Sequence, residues 1–263
     1  MTPDQLGSML DDVEAPEAWY LGDLAECAGK VLARSGNGDL VFVGRSLDSM
    51  FDLLGGALDE GRALHRLPVS FRHGPVLHGD VPRVRELLTE AGVTPASLAR
   101  RDRPVTFVDV VATGGSFTKL FGLLDDWITE ERETWPAIRR KLRFVGVTIR
   151  RQTSPNVERW QQRAEWTRRL PASSVVNVSL DEDVWHYFGN WQTKLTWPFT
   201  LHRWREHLRE AKRDERTREA LAEAVQLVSL GRTKEVRRMI ARGMDGEPAL
   251  SEPWLRTLQS RLT

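Results

Sequence analysis

Residues 105–124 read VTFVDVVATGGSFTKLFGLL. Over 105–111 the residues are β-branched or aromatic, and the one acid among them is Asp109. Such a run bounded by turn residues reads as a buried strand. It stops at Thr113-Gly114-Gly115-Ser116, and an apolar pattern of helical period follows from about Ser116 to Glu133. A strand, a glycine turn and a helix in that order form one half of a parallel β-α-β unit.

Working outward, the same alternation recurs. DLVFVGRS (39–46) predicts a strand, and LDSMFDLLGGALDEG (47–61) a helix that buries Met50, Phe51, Leu53, Leu54 and Leu58. HRLPVSF (65–71), KLRFVGVTI (141–149) and SSVVNVSL (173–180) predict further strands. VPRVRELLTEAGV (81–93), PASLARRD (95–102) and VERWQQRAEWTRRL (157–170) predict helices between them. Residues 1–36 read as a polar helical segment that ends in the turn Ser35-Gly36-Asn37-Gly38. The expected class is α/β, with a mainly parallel sheet between Rossmann-type helical layers. After Pro198 the chain becomes rich in Arg and Glu. It predicts helices with Leu201, Trp204 and Leu208 on one face, Leu221, Val225 and Val228 on another, and breaks at Gly231, Gly243 and Gly246. The expected division is an α/β domain over 1–198 and a helical appendage over 199–263.

Composition narrows the function. The 263 residues carry 38 basic and 37 acidic side chains, so no global charge draws the chain to nucleic acid or to a membrane. The acids of HRWREHLREAKRDERTR (202–218) are interleaved with its arginines, which fits pairing along a solvated helix better than a phosphate track. The single cysteine, Cys27, excludes an intramolecular disulfide and argues against a cysteine-based zinc site. No secretory leader or membrane-length apolar run is visible, so a soluble cytoplasmic protein is expected. His65, His73 and His78 have no metal-site spacing. Six of the ten tryptophans fall between Trp160 and Trp204, as an aromatic wall over a flat ligand or as a tryptophan-rich core.

Ligands of parallel sheets bind beyond the carboxyl ends of the strands, where the 113–116 turn lies. Gly114 and Gly115 permit close backbone approach. The first amides of the following helix have no intrahelical partner and favour an anion. Thr113 and Ser116 add hydroxyls, so the group suits a terminal phosphate. Asp109 would repel a phosphate but can accept hydrogen bonds from sugar hydroxyls. The same residues also form an ordinary helix start, with Asp109 a satisfied polar group. Neither the G-x-x-x-x-G-K-[ST] nor the G-x-G-x-x-G pattern occurs, which argues against a nucleoside triphosphatase or a dinucleotide reader.

FVDVVATGGS (107–116) resembles the phosphoribosyl diphosphate (PRPP) motif of the type I phosphoribosyltransferases, over about ten residues. The resemblance implies that Thr113, Gly114, Gly115 and Ser116, with Val110 and Ala112 of the same motif, hold the 5-phosphate, and that Asp109 meets the ribose. The chain departs from the motif at its first acid, which is Val108 here. By position, Gly44, Arg45 and Ser46 correspond to the family's diphosphate loop. Asp181 corresponds to an acid that positions Mg²⁺, and Trp185 to an aromatic that stacks on the acceptor. Arg45 and Asp109 would be catalytic. Residues 72–104 occupy the place of the family's mobile loop, where Arg100, Arg101 and Arg103 would close over the diphosphate or form a solvated face. Lys119 reads as solvent-facing.

The implied reaction transfers 5-phosphoribosyl from PRPP to an unidentified small-molecule acceptor and releases diphosphate, in a chain that resembles enzymes that are often homodimers. A PRPP- or nucleotide-sensing domain of the same fold, or a hydrolase that releases ribose 5-phosphate, are the other readings.

Overall fold

The computed structural model describes residues 7–58, 63–71, 76–150, 159–196, 198–199 and 214–263. Five parallel strands form one sheet in the order β2-β1-β3-β4-β5: β1 Asp39–Val43, β2 Leu64–Leu67, β3 Val105–Val110, β4 Leu142–Ile149 and β5 Val175–Leu180. This is a doubly wound order whose direction of winding reverses between β1 and β3. In the register Phe42 lies opposite Val108, and Asp109 lies opposite Gly146.

Side chains along β3 alternate between two cores. Val108 joins the core beneath α1 (Leu21–Arg34) and α2 (Asp48–Ala57). Val105 and Phe107 face the opposite core, built with α3 (Val81–Glu90), α4 (Pro95–Arg100), α5 (Gly115–Glu130), α6 (Trp135–Ile138) and α7 (Trp160–Arg163). Asp109 shares their parity. The sheet is therefore covered on both faces, as its near-continuous apolar strands require.

After β5 a short helix α8 (Glu182–His186) runs into a π-helical turn, Tyr187–Trp191. The C-terminal helices α9 (Glu215–Gly231), α10 (Lys234–Arg242) and α11 (Pro253–Leu262) share the core of α1 and α2. The face that α9 buries differs from expectation: Ala220, Ala222, Glu223 and Leu227 are buried, whereas Leu221, Val225 and Val228 are half-buried. The cause is backbone proximity. A Cβ on Gly56 would lie 2.0 Å from the Val228 carbonyl oxygen, and one on Gly231 2.2 Å from that of Leu53. Where α2 and α9 touch this closely, small residues fit and large ones are displaced to the flanks. Leu201, Trp204 and Leu208 lie outside the described residues.

The continuous helix expected over 157–170 is instead α7 followed by a 3₁₀ turn, Glu165–Arg169. Trp160 and Trp166 are both buried against the same core, and Trp166 stacks on Phe121 at 4.7 Å between ring centroids. Each indole N–H is also committed, Trp160 to Asn177 Oδ1 at 2.7 Å and Trp166 to Thr118 Oγ1 at 2.9 Å. Six residues apart, one straight α-helix turns the two rings well away from each other; the break at Ala164 brings both to one surface. Of the expected tryptophan wall, Trp160, Trp166 and Trp185 are core residues and Trp191 is exposed. Trp197 and Trp204 lie outside the described residues. No described helix is long and apolar enough to cross a membrane.

Candidate functional site

At the carboxyl edge of the sheet, the connections after β1, β2 and β3 surround a cavity of about 560 Å³, and the segment after β5 crosses over it. The cavity lies where the winding reverses, the place at which such sheets bind ligands. Its wall contains Gly44, Arg45, Ser46, every residue from Asp109 to Ser116, and Trp185. Of the residues singled out in the sequence for the site, Asp181 and the arginines Arg100, Arg101 and Arg103 are not in that wall.

The turn after β3 owes its shape to Gly114, the N-cap of α5, at φ 78°. A side chain is strained there by conformation and also blocked by contact, because a Cβ would lie 2.4 Å from Trp160 Cε3. Gly115 differs: a Cβ on it would meet only Thr113 Oγ1, at 3.8 Å. No side chain caps α5, so its opening amides face the cavity edge without an internal acceptor. Lys119, one turn further along, lines the cavity and donates to the Phe71 carbonyl oxygen at 2.7 Å. It is not the solvent-facing lysine expected; its position three residues after Ser116 places both on one helix face.

A second group of donors lies beyond β1. Gly44 adopts φ 74° and donates its amide to Leu67 at 2.9 Å, which turns the chain toward the cavity. Arg45 donates to the carbonyl oxygen of Thr196, and burial lowers the pKa of its guanidinium below the usual value. Lys194 donates to the Ser46 carbonyl oxygen at 3.2 Å, and burial brings its ammonium down to about 8. Among the described residues, the cavity wall thus carries three cationic side chains, Arg45, Lys119 and Lys194, and one acid, Asp109.

Asp109 is 7% exposed and accepts one described hydrogen bond, from its neighbour's amide, Val110 N, at 2.8 Å. Burial pushes its carboxyl up to about 8, against the opposing effect of that amide. At neutral pH a carboxyl so raised is mostly protonated. Opposite it, a Cβ on Gly146 would meet Asn177 Oδ1 and Trp160 Nε1 at 3.1 Å; the missing side chain makes room for the indole.

No protein-family model, no curated protein and no solved structure matches the chain. What the pocket takes has to be read from its own side chains.

Asp181 is held elsewhere. Its carboxylate caps α8, accepting from Asp183 N at 2.9 Å and Val184 N at 3.4 Å. Trp185 reaches the cavity wall but is 8% exposed, and its indole N–H donates to the Val147 carbonyl oxygen at 2.9 Å. Arg101 and Arg103 pair with Asp39 at the start of β1, the opposite edge of the sheet from the cavity. Their charges do not close over a ligand in this arrangement. Among the described residues, no group of three or more His, Cys, Asp or Glu side chains gathers to hold a metal ion. Among its described residues the pocket could offer a cation one carboxylate, Asp109. That fits an ion carried in on a ligand's own phosphate oxygens, as Mg²⁺ commonly is, and not an all-protein cage.

Proposed function

We propose that the chain is a phosphoribosyltransferase-like enzyme that transfers 5-phosphoribosyl from PRPP to a small-molecule acceptor. One observation carries the reading. Two sets of anion-favouring groups, Thr113–Ser116 with Lys119 and Gly44–Ser46 with Lys194, border one cavity beside the buried carboxyl of Asp109. A ligand with phosphate at both ends of a polyhydroxylated ring has the matching chemistry.

In the reaction, the bond from C1 to the diphosphate oxygen breaks, and its electron pair leaves with diphosphate. Positive charge develops at C1 and the ring oxygen, and an acceptor lone pair forms the new bond from the opposite face. Thr113, Gly115 and Ser116 hold the 5-phosphate through amides and hydroxyls. Arg45 leaves the Thr196 carbonyl for the leaving group and stabilises its charge. Asp109 accepts from the ribose hydroxyls, and the developing positive charge favours its ionised form. Mg²⁺, where present, would be held by Asp109 and by substrate phosphate oxygens, and would supply charge neutralisation of the leaving group.

The test is a dissociation constant for PRPP with and without Mg²⁺, followed by diphosphate release with a panel of ring acceptors. Binding with acceptor-dependent release supports the transferase, and Asp109→Ala then abolishes release. A chain that binds no PRPP refutes it. A sensing role is favoured by Val108, which is fully buried in the opposite core where the motif has its first acid. Binding without release under any acceptor identifies that role.

A further inference from the structure

Lys194 lies in the segment that crosses the cavity, beyond the stretches that carry the phosphoribosyltransferase resemblance. Its ammonium donates to the Ser46 carbonyl oxygen and to Gln192 Oε1. The Gln192 amide is fixed in that orientation, because its Nε2 donates to Ser49 Oγ at 2.7 Å and to Glu223 Oε1 at 2.8 Å. Glu223, buried on α9, also accepts from the hydroxyls of Tyr20 and Tyr187. A lysine ammonium has three N–H donors. Among the described residues two of them are engaged, and the ammonium also lies 5.8 Å from the centroid of the Phe188 ring, at the cavity wall beside Gly44, Arg45 and Ser46.

We infer that Lys194 binds the diphosphate end of the substrate and is held at the cavity wall by the Gln192–Glu223 relay from the C-terminal helix α9. The inference rests on the phosphoribosyl reading of the pocket. It assigns the C-terminal helices a part in the site: they orient a cation across the diphosphate loop. Around the ammonium stand Asp48 and Asp52 of α2, Glu223 of α9 and Arg45 of the loop, with Arg66 of β2 paired to both aspartates. Burial lowers Lys194 to about 8, so it is charged at neutral pH and loses its charge just above. Arginine at this position would keep its charge throughout.

Calorimetric titration with inorganic diphosphate and with PRPP, from about pH 6.5 to about pH 9.5, tests this on wild type, Lys194→Met and Lys194→Arg. Lys194→Met is expected to lose roughly ten- to a hundredfold in diphosphate affinity, the loss of a charge-assisted bond. Its affinity for inorganic phosphate should change by less than about threefold, because that ion is held by the separate turn at 113–116. The ratio of wild-type to Lys194→Arg affinity for diphosphate should fall as the pH rises through about 8, which cancels the ionisation of diphosphate itself. A lysine that only ties the segment to Ser46 would lower the melting temperature of Lys194→Met and leave that ratio flat. A flat ratio, or unchanged diphosphate affinity in Lys194→Met, overturns the inference while the pocket reading stands. Wild type that binds neither diphosphate nor PRPP overturns both.

Discussion

Replacing Asp109 by Asn separates the cost of burying a carboxyl from its use. In the unfolded chain the group titrates at its ordinary value of 3.8, and in the folded chain at about 8. Between those values the unfolded chain has lost a proton that the folded chain keeps, so stability falls as the pH rises. Each pH unit costs about 1.36 kcal/mol, and the full penalty is on the order of 5 kcal/mol. It is absent below about pH 4 and complete above about pH 8. Asn has a similar shape, keeps an acceptor for Val110 N and never ionises. Urea unfolding of both proteins at pH 5 and pH 9 gives the difference in stability, in which contributions from Asp48, Asp52 and the other titrating groups cancel. Asp109→Asn should gain on wild type by about 4 kcal/mol between those two pH values. A gain below about 1 kcal/mol would mean that the folded carboxyl titrates near its ordinary value, through a solvent path or a cationic partner, and that the resting pocket carries its negative charge.

Other substitutions test the site piece by piece. Gly114→Ala should destabilise the fold by about 2–4 kcal/mol in thermal or chemical unfolding, because the new methyl meets the Trp160 ring and the backbone is strained. Gly115→Ala should stay within about 1 kcal/mol of wild type yet weaken inorganic phosphate binding, since its methyl enters space open to the ligand. Asp181→Ala should cost about 1 kcal/mol through loss of the α8 cap; Mg²⁺-dependent PRPP affinity that also falls tenfold would return a metal role to this residue. Tyr20→Phe should cost about 1.5–3 kcal/mol, because it removes a donor from the buried Glu223 carboxylate, and a loss of diphosphate affinity beside it would show that the relay reaches Lys194.

The strands and the turn after β3 were legible because each has a local cause. A strand covered on both faces is almost continuously apolar, and Gly114 supplies the positive φ that the turn demands. The five strand stretches, read in order, therefore led directly to the parallel sheet. The cationic half of the pocket was less accessible. Lys119 sits on the helix face of Ser116, a signal that spacing contained but that the outward reading of its charge overrode. Lys194 follows a π-helical turn in a polar segment with no period, and only the tertiary meeting of Ser46, Gln192 and Glu223 makes it a pocket residue. Glu223 itself lies among many similar acids and arginines, and nothing local marks it as the buried one. The helix over 157–170 has its break for a tertiary reason: two tryptophans six apart cannot share one face of a straight helix, and their packing on Phe117, Phe121 and Phe144 bends the chain.

The indole of Trp160 touches the space that a side chain would need at Gly114 and at Gly146, and hangs by its nitrogen from Asn177. Trp160 on α7 thereby couples three positions, Gly114 just after β3, Gly146 on β4 and Asn177 on β5. Trimming the ring at 160 would relieve the crowding at Gly146 and release Asn177, but Gly114 would stay bound to glycine by its positive φ. Sequences descended from a common ancestor with this chain that keep the ring at 160 should keep glycine at 114 and at 146.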